Sequence, residues 1–254
     1  MERTVLLKVC SNGTREQGAH PALPVTPIQV GQDAAAAAAA GAAAVHVHAR
    51  GPDGRETLAP GPCGHAVASI RAACPGLPVG LTTGAWIEPH PARRLALIEQ
   101  WHVPPDFASV NLGEPGAVQL ASVLHERGIG VEAGLWNPDD AHLLVRSGLA
   151  GRTLRVMLEP QEDDPAAALV NADATERVLS AAGVRVQLLL HGMGAATWPL
   201  LEVALDRGLD VRIGLEDTLR LPDGSLAPDN AALVAAARRL AEERGVTLAR
   251  APVA

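Results

Sequence analysis

Eight short apolar runs recur at a regular distance along the chain: TVLLKVC (4–10), AAVHVHA (43–49), LPVGLTT (77–83), FASVNLG (107–113), IGVEAGL (129–135), LRVMLE (154–159), VRVQLLLH (184–191) and LDVRIGLE (209–216). Their length and their Val, Ile and Leu content suit buried strands. Helix-length segments lie between them: PIQVGQDAAAAAAAG, AVASIRAAC, ARRLALIEQW, AVQLASVLHERG, PDDAHLLVRSG, NADATERVLSAAG, ATWPLLEVALDRG and DNAALVAAARRLAEERG. Most of these stop at a glycine, as helix C-termini do. Eight strand–helix units in 254 residues predict an α/β fold, a (β/α)8 TIM barrel forming a single domain over residues 1–254. The competing architecture is an open doubly wound sheet, but no GxGxxG follows the first run.

In such a barrel, chemistry sits at the C-terminal ends of the strands. Polar residues gather there: Ser11 and Asn12; His46, His48 and Arg50; Thr82 and Thr83; Asn111 and Glu114; Glu132 and Asn137; Glu159; His191; then Arg212, Glu216 and Asp217. A purely structural barrel has little reason for that bias.

Composition narrows the classes. The chain is 48% hydrophobic, enough for a sizeable core, and carries a net charge of −7. No basic patch or aromatic platform suggests nucleic-acid binding, since only one Phe, four Trp and no Tyr are present. No apolar run approaches a membrane span, and the apolar run in MERTVLLKVCSNGT is too short for a signal-peptide core and cleavage site, so none is expected. Three cysteines without a CxxC spacing read as reduced thiols, so a cytoplasmic protein is expected.

His46 and His48 share one face of the second predicted strand, because side chains alternate with period two. Val45 and Val47 then point toward the helices. In the last run, Arg212, Gly214 and Glu216 share a face, Gly214 leaves room between the two charges, and Asp217 lies just beyond. In a closed barrel strand 8 adjoins strand 1, which adjoins strand 2, so Glu216 can meet both histidines. Two imidazoles and one carboxylate are a common catalytic zinc set with positions left open for water or substrate. Other divalent ions can use the same ligands.

The chain resembles the β-keto acid cleavage enzymes, among them 3-keto-5-aminohexanoate cleavage enzyme. The resemblance rests on HPALPVTP (20–27), AAGAAAVHVHARGPDGRETL (39–58), GLTTGAW (80–86) and GLDVRIGLEDTL (208–219), and it runs over nearly the whole chain. It implies a zinc-dependent barrel that reacts a β-keto acid with acetyl-CoA and releases acetoacetate and a new acyl-CoA. It also implies His46, His48 and Glu216 as metal ligands, and Arg212 and Asp217 as catalytic residues. The family's strand-3 serine falls on Thr82. Its glutamate near the N-terminus has no assigned equivalent among Asn12, Arg15 and Glu16.

Thr82 and Asn111 are expected to position substrate oxygens, against the alternative of local turn bonds. Glu132 is expected to read a substrate tail, with Trp86, Leu135 and Trp136 lining its pocket. Arg50 either holds a substrate carboxylate or pairs with Asp53 or Glu56. Gly192 and Gly194 in HGMG are expected to offer backbone N–H groups to a CoA phosphate. A symmetric homo-oligomer is expected for such a barrel. Three rivals remain: a metal-dependent aldolase or lyase without CoA, an amidohydrolase-type metal hydrolase, and a non-catalytic scaffold. The amidohydrolase pattern places HxH on strand 1 with further histidines on strands 5 and 6, which this sequence lacks.

Overall fold

The computed structural model describes residues 4–249, so the outermost residues of the expected 1–254 domain lie outside the described residues. Strands and helices alternate throughout: β1 (Leu7–Cys10), α1 (Pro27–Ala40), β2 (Ala44–Val47), α2 (Pro60–Ala73), β3 (Val79–Leu81), α3 (Pro91–Glu99), β4 (Phe107–Asn111) and α4 (Ala117–Glu126). The second half runs β5 (Gly130–Leu135), α5 (Pro138–Arg146), β6 (Arg155–Leu158), α6 (Pro165–Ala181), β7 (Leu188–Leu190), α7 (Thr197–Asp206), β8 (Val211–Ile213) and α8 (Asn230–Glu243). All strand pairs are parallel and follow chain order, with β8 beside β1. The ring closes between β7 and β8, where the Asp210 N–H donates to Leu188 O at 3.0 Å and the Leu190 N–H to Asp210 O at 3.1 Å. The fold is therefore the expected (β/α)8 barrel, and the open sheet is excluded.

Local chemistry explains the element ends. Thr26 caps α1 in a reciprocal box: its hydroxyl accepts from Gln29 N, and Gln29 Oε1 accepts from Thr26 N at 2.9 Å. Asn137, Asp164 and Asp229 cap α5, α6 and α8 in the same sense. Helices α2 and α6 begin earlier than the apolar pattern indicates, at Pro60 and Pro165, because proline at the first helical position forfeits no hydrogen bond. The strand expected over 209–216 covers only Val211–Ile213. The chain then turns, with the Asp217 N–H donating to Gly214 O at 2.9 Å. Gly214 is needed for a different reason from the one expected: a Cβ there would lie 1.9 Å from the Cys10 carbonyl oxygen of β1.

Outward-facing strand residues such as Val45, Val47, Val79, Val110 and Val156 form the apolar layer under the helices. The barrel interior below the mouth is charged instead. Lys8 and Glu132 are fully buried and ion-paired, and Arg155 bonds both Glu132 and Asp210, the latter at 3.1 Å. Two cations and two carboxylates thus neutralise one another inside the ring. The Lys8 ammonium also lies 3.3 Å from Met157 Sδ and 5.7 Å from the centre of the Phe107 ring. This corrects the reading of Glu132 as a substrate residue, because its two oxygens are taken by Lys8 and Arg155.

A prediction follows from that network. Glu132→Ala leaves the Lys8 ammonium buried without its carboxylate, and should cost about 3–5 kcal/mol of folding stability. Urea unfolding measures the loss. A Glu132→Ala protein with wild-type stability and a raised KM would restore the substrate role.

Candidate active site

A cavity of about 240 Å³ opens at the C-terminal mouth of the barrel, lined by His46, His48, Thr82, Ser109, Asn111, Glu159, His191, Arg212 and Glu216, with Thr14, Trp86, Trp136, Gln161 and Met193 toward the rim. Strand pleating supplies the first pair: His46 stands opposite Cys10 on β1 and Gly80 on β3 and faces inward, and His48 follows two residues later. The turn after β8 supplies Glu216. One ligand atom from each of His46, His48 and Glu216 falls within 4.8 Å of the others. His48 Nε2 lies 3.7 Å from Glu216 Oε2. His46 Nδ1 and Glu216 Oε2 are buried without a hydrogen-bond partner, which fits atoms awaiting an ion. These three residues can therefore hold a divalent metal.

Arg212 forms the adjoining wall. Its guanidinium donates to Asp217 Oδ1 from Nε at 3.1 Å and from Nη2 at 2.5 Å, and to Glu216 Oε1 at 2.7 Å. Alternation alone puts residues 216 and 217 on opposite faces. The turn at Gly214 brings both carboxylates to one guanidinium. Burial opposes the charge on Glu216, but Arg212 and the surrounding histidines outweigh it and hold the carboxyl well below its ordinary range. Burial pushes the Asp217 carboxyl up, against the pull of Arg212. Burial disfavours the charge on Arg212 as well, yet Asp217 raises it further above its ordinary value, so it stays cationic. Burial drives His46 well below its usual value, leaving a neutral imidazole suited to ligation.

The remaining expectations divide. Thr82 lines the cavity, with its hydroxyl accepting from Gly84 N at 3.2 Å and its own hydrogen available. Asn111 also lines it, but its amide donates to Glu114 Oε1 at 2.9 Å, and Glu114 is locked in turn by buried Arg94 at 2.7 Å. Trp86 and Trp136 reach the rim, whereas Leu135 is buried under the helices. Arg50 is not at the cavity. It donates to the carbonyls of Gly13 at 2.6 Å, Arg15 at 2.8 Å and Gly54 at 3.3 Å, so it ties two loops together rather than pairing with Asp53, Glu56 or a substrate carboxylate. In HGMG the two glycines have local structural uses. The Gly194 N–H already donates to Asp217 O at 2.9 Å, and Gly192 is required because a Cβ would lie 2.7 Å from Ala196 O. No carboxylate from residues 12–16 lines the cavity; Thr14 does, and Glu16 is exposed.

One residue of that motif matters for another reason. His191 is buried, lines the cavity, and has no hydrogen-bond partner on either ring nitrogen. Its Nε2 lies 3.4 Å from Glu159 Oε1 and its Nδ1 3.8 Å from Asp217 Oδ1. Burial raises Glu159, but His191 outweighs it and holds the carboxyl below its ordinary range. Alternation from Leu189, which pairs with Met157, places position 191 inward, and this is the signal that finds it in the sequence. Glu159 lines the same cavity.

Residues 4–254 match the family of beta-keto acid cleavage enzymes. The chain belongs to that family. A 3-keto-5-aminohexanoate cleavage enzyme from Fusobacterium nucleatum is 24% identical over 264 residues, covering 98% of this chain and 95% of that protein. A 3,5-dioxohexanoate:acetyl-CoA acetone transferase from Paraburkholderia graminis is 37% identical over 94 residues, covering 37% of this chain and 29% of that protein. Among solved structures, a ternary complex of ObcA with a C4-CoA adduct and oxalate superposes with a TM-score of 0.74 at 20% identity, covering 91% of this chain. This chain spans 66% of the ObcA chain's length, so that likeness carries the barrel and not the chemistry. As a member of the β-keto acid cleavage family, the protein has its candidate metal site where the barrel fold concentrates chemistry. Among the described residues, no helix is long and apolar enough to cross a membrane.

Proposed function

We propose that this β-keto acid cleavage family member is a zinc-dependent acyl-transferring enzyme. It condenses a β-keto acid with acetyl-CoA, then releases acetoacetate and a new acyl-CoA by retro-Claisen cleavage. The observation that carries the reading is the convergence of His46, His48, Glu216 and Arg212 at one cavity, with Asp217 bonded to Arg212 from behind. Two imidazoles and a carboxylate with open positions suit zinc. When bound there, a divalent ion supplies Lewis-acid polarisation of a ketone oxygen. The chain's own residues do the rest. Arg212, firmly cationic and facing the cavity, binds and orients the substrate's anionic oxygens. Asp217, fully buried behind Arg212 and outside the cavity lining, holds Arg212 through Oδ1, and its Oδ2, buried with no hydrogen-bond partner, is the final acceptor of the proton lost from the carbon between the two carbonyls, reached through a group that lines the cavity. Thr82 donates its hydroxyl hydrogen to an oxygen of the adduct. Trp86 and Trp136 cover the tail and exclude water. The 3,5-dioxohexanoate:acetyl-CoA transferase among the relatives supports a thioester co-substrate.

The second reading is a metal-dependent lyase that cleaves a β-keto acid without CoA, since the same ligands would serve. Isotope-labelled acetyl-CoA separates the two. Incubated with the enzyme and a panel of β-keto acids, it is expected to leave both acetyl carbons in acetoacetate, read by mass. Turnover of a β-keto acid with no thioester present would replace the proposal with the lyase.

A further inference from the structure

The loop after β2 folds back on itself. The Gly51 N–H donates to Arg55 O at 2.8 Å, Gly54 N to Gly51 O at 3.0 Å and Thr57 N to Ala49 O at 3.0 Å. Arg50 and Glu56 therefore stand side by side in an antiparallel bridge. This returns Glu56 to the outer edge of His48, eight residues behind it in sequence. Glu56 Oε1 lies 2.5 Å from His48 Nδ1. An ionised carboxylate only accepts, so this contact selects the tautomer with hydrogen on Nδ1 and leaves the Nε2 lone pair facing Glu216. The same carboxylate accepts from the indole N–H of Trp86, at 3.2 Å to Oε1 and 3.3 Å to Oε2. Trp86 in turn lies over the His48 ring, with centroids 6.1 Å apart and planes 26° from parallel. Trp86 is about half exposed at the cavity rim, where its ring packs against Gly84 as well as making these contacts.

We propose that Glu56 is the positioning residue of the metal centre. It fixes the tautomer and ring angle of His48, strengthens that imidazole as a ligand, and anchors Trp86 across the cavity mouth. The inference rests on the metal-site reading above. It assigns Glu56 no contact with the ion or the substrate. Carboxylates that hold a ligating imidazole in this way change metal affinity without touching the metal.

The test is zinc binding rather than turnover. Metal-free wild type, Glu56→Gln, Glu56→Ala and Trp86→Phe are titrated with zinc against a competing chromophoric chelator. The His48 Nδ1–H is followed by imidazole 15N-resolved proton NMR, and folding by circular dichroism. Glu56→Ala should bind zinc about 10–100-fold more weakly and lose the slowly exchanging imidazole proton. Glu56→Gln should lie between Glu56→Ala and wild type, because its amide oxygen still accepts from Nδ1–H but carries no charge. Trp86→Phe should lie nearer wild type, since the Glu56–His48 contact survives. A folded Glu56→Ala with wild-type zinc affinity and an unchanged imidazole proton would overturn the assignment and leave the metal site standing. So would a Glu56→Ala that loses zinc only together with its secondary structure while Glu56→Gln matches wild type. A wild-type chain that takes up no zinc would remove the metal site and this role together.

Discussion

His46→Ala is expected to abolish stoichiometric metal uptake and to lower kcat/KM by about 10³-fold or more, because a bound metal contributes several kcal/mol of transition-state stabilisation. His46 is neutral, fully buried at its ring and without a partner on Nδ1, so its removal deletes a ligand and little else. The hole would open onto the polar cavity, where water can enter, and melting temperature should move little. Glu216→Gln should behave differently. It retains shape but forfeits the charge that balances Arg212, whose Nη2 donates to Glu216 Oε1 at 2.7 Å. Metal affinity should fall, and excess zinc should recover part of the activity. Elemental analysis of protein purified without added metal gives the stoichiometry, and activity against free zinc gives the recovery. A His46→Ala protein that still carries one ion per chain would sink the ligand set.

How much of this is legible in the sequence depends on range. Period-two alternation is a property of two or three consecutive residues, and it correctly turns His46 and His48 inward and Val45 and Val47 outward. Closure of the ring then brings the end of β8 within reach of β2, as the order of strands requires. Glu132 fails for a physical reason. Alternation turns it inward, but its fate depends on Lys8 from β1 and Arg155 from β6, and no local pattern reveals which inward residues lie at the same height. Arg50 fails because the carbonyls that hold it belong to the β1 and β2 loops, and backbone acceptors leave no trace in residue identity. Gly194 looks like an anion cradle until the Asp217 carbonyl is seen to use its N–H. Glu56 is the opposite case. The turn-rich ARGPDGRE announces a chain reversal, but the partner it delivers to His48 emerges only from the register of that reversal. Short loops thus hide both the false leads and the real support of the site.

The remaining large effect concerns Asp217. Asp217→Asn should keep the metal and most of the substrate affinity while lowering kcat by about 10²–10⁴-fold, the contribution of a positioned acid–base group. The substitution retains an oxygen at Oδ1, so Arg212 keeps acceptors for Nε at 3.1 Å and Nη2 at 2.5 Å. What disappears is the capacity to take a proton at Oδ2, the buried oxygen without a partner. Arg212 cannot substitute, because a guanidinium carries only donors and holds its proton far above neutral pH even without a carboxylate beside it. The alternative is that Asp217 only closes the β8 turn. Its backbone does help: the N–H donates to Gly214 O at 2.9 Å, and its carbonyl accepts from Gly194 N at 2.9 Å and from the Thr197 hydroxyl at 3.2 Å. Asparagine leaves all three intact, so a structural role lodged there predicts near-normal kcat. A structural role lodged in the carboxylate charge predicts a lower melting temperature, since Arg212 would then keep only Glu216 as counter-ion. Measuring kcat, bound zinc and melting temperature on one preparation separates these cases. Added zinc should rescue Glu216→Gln in part and Asp217→Asn not at all. A wild-type kcat with metal retained would take Asp217 out of the mechanism and move the search for the proton acceptor to His191, whose Nδ1 faces the same carboxylate from 3.8 Å.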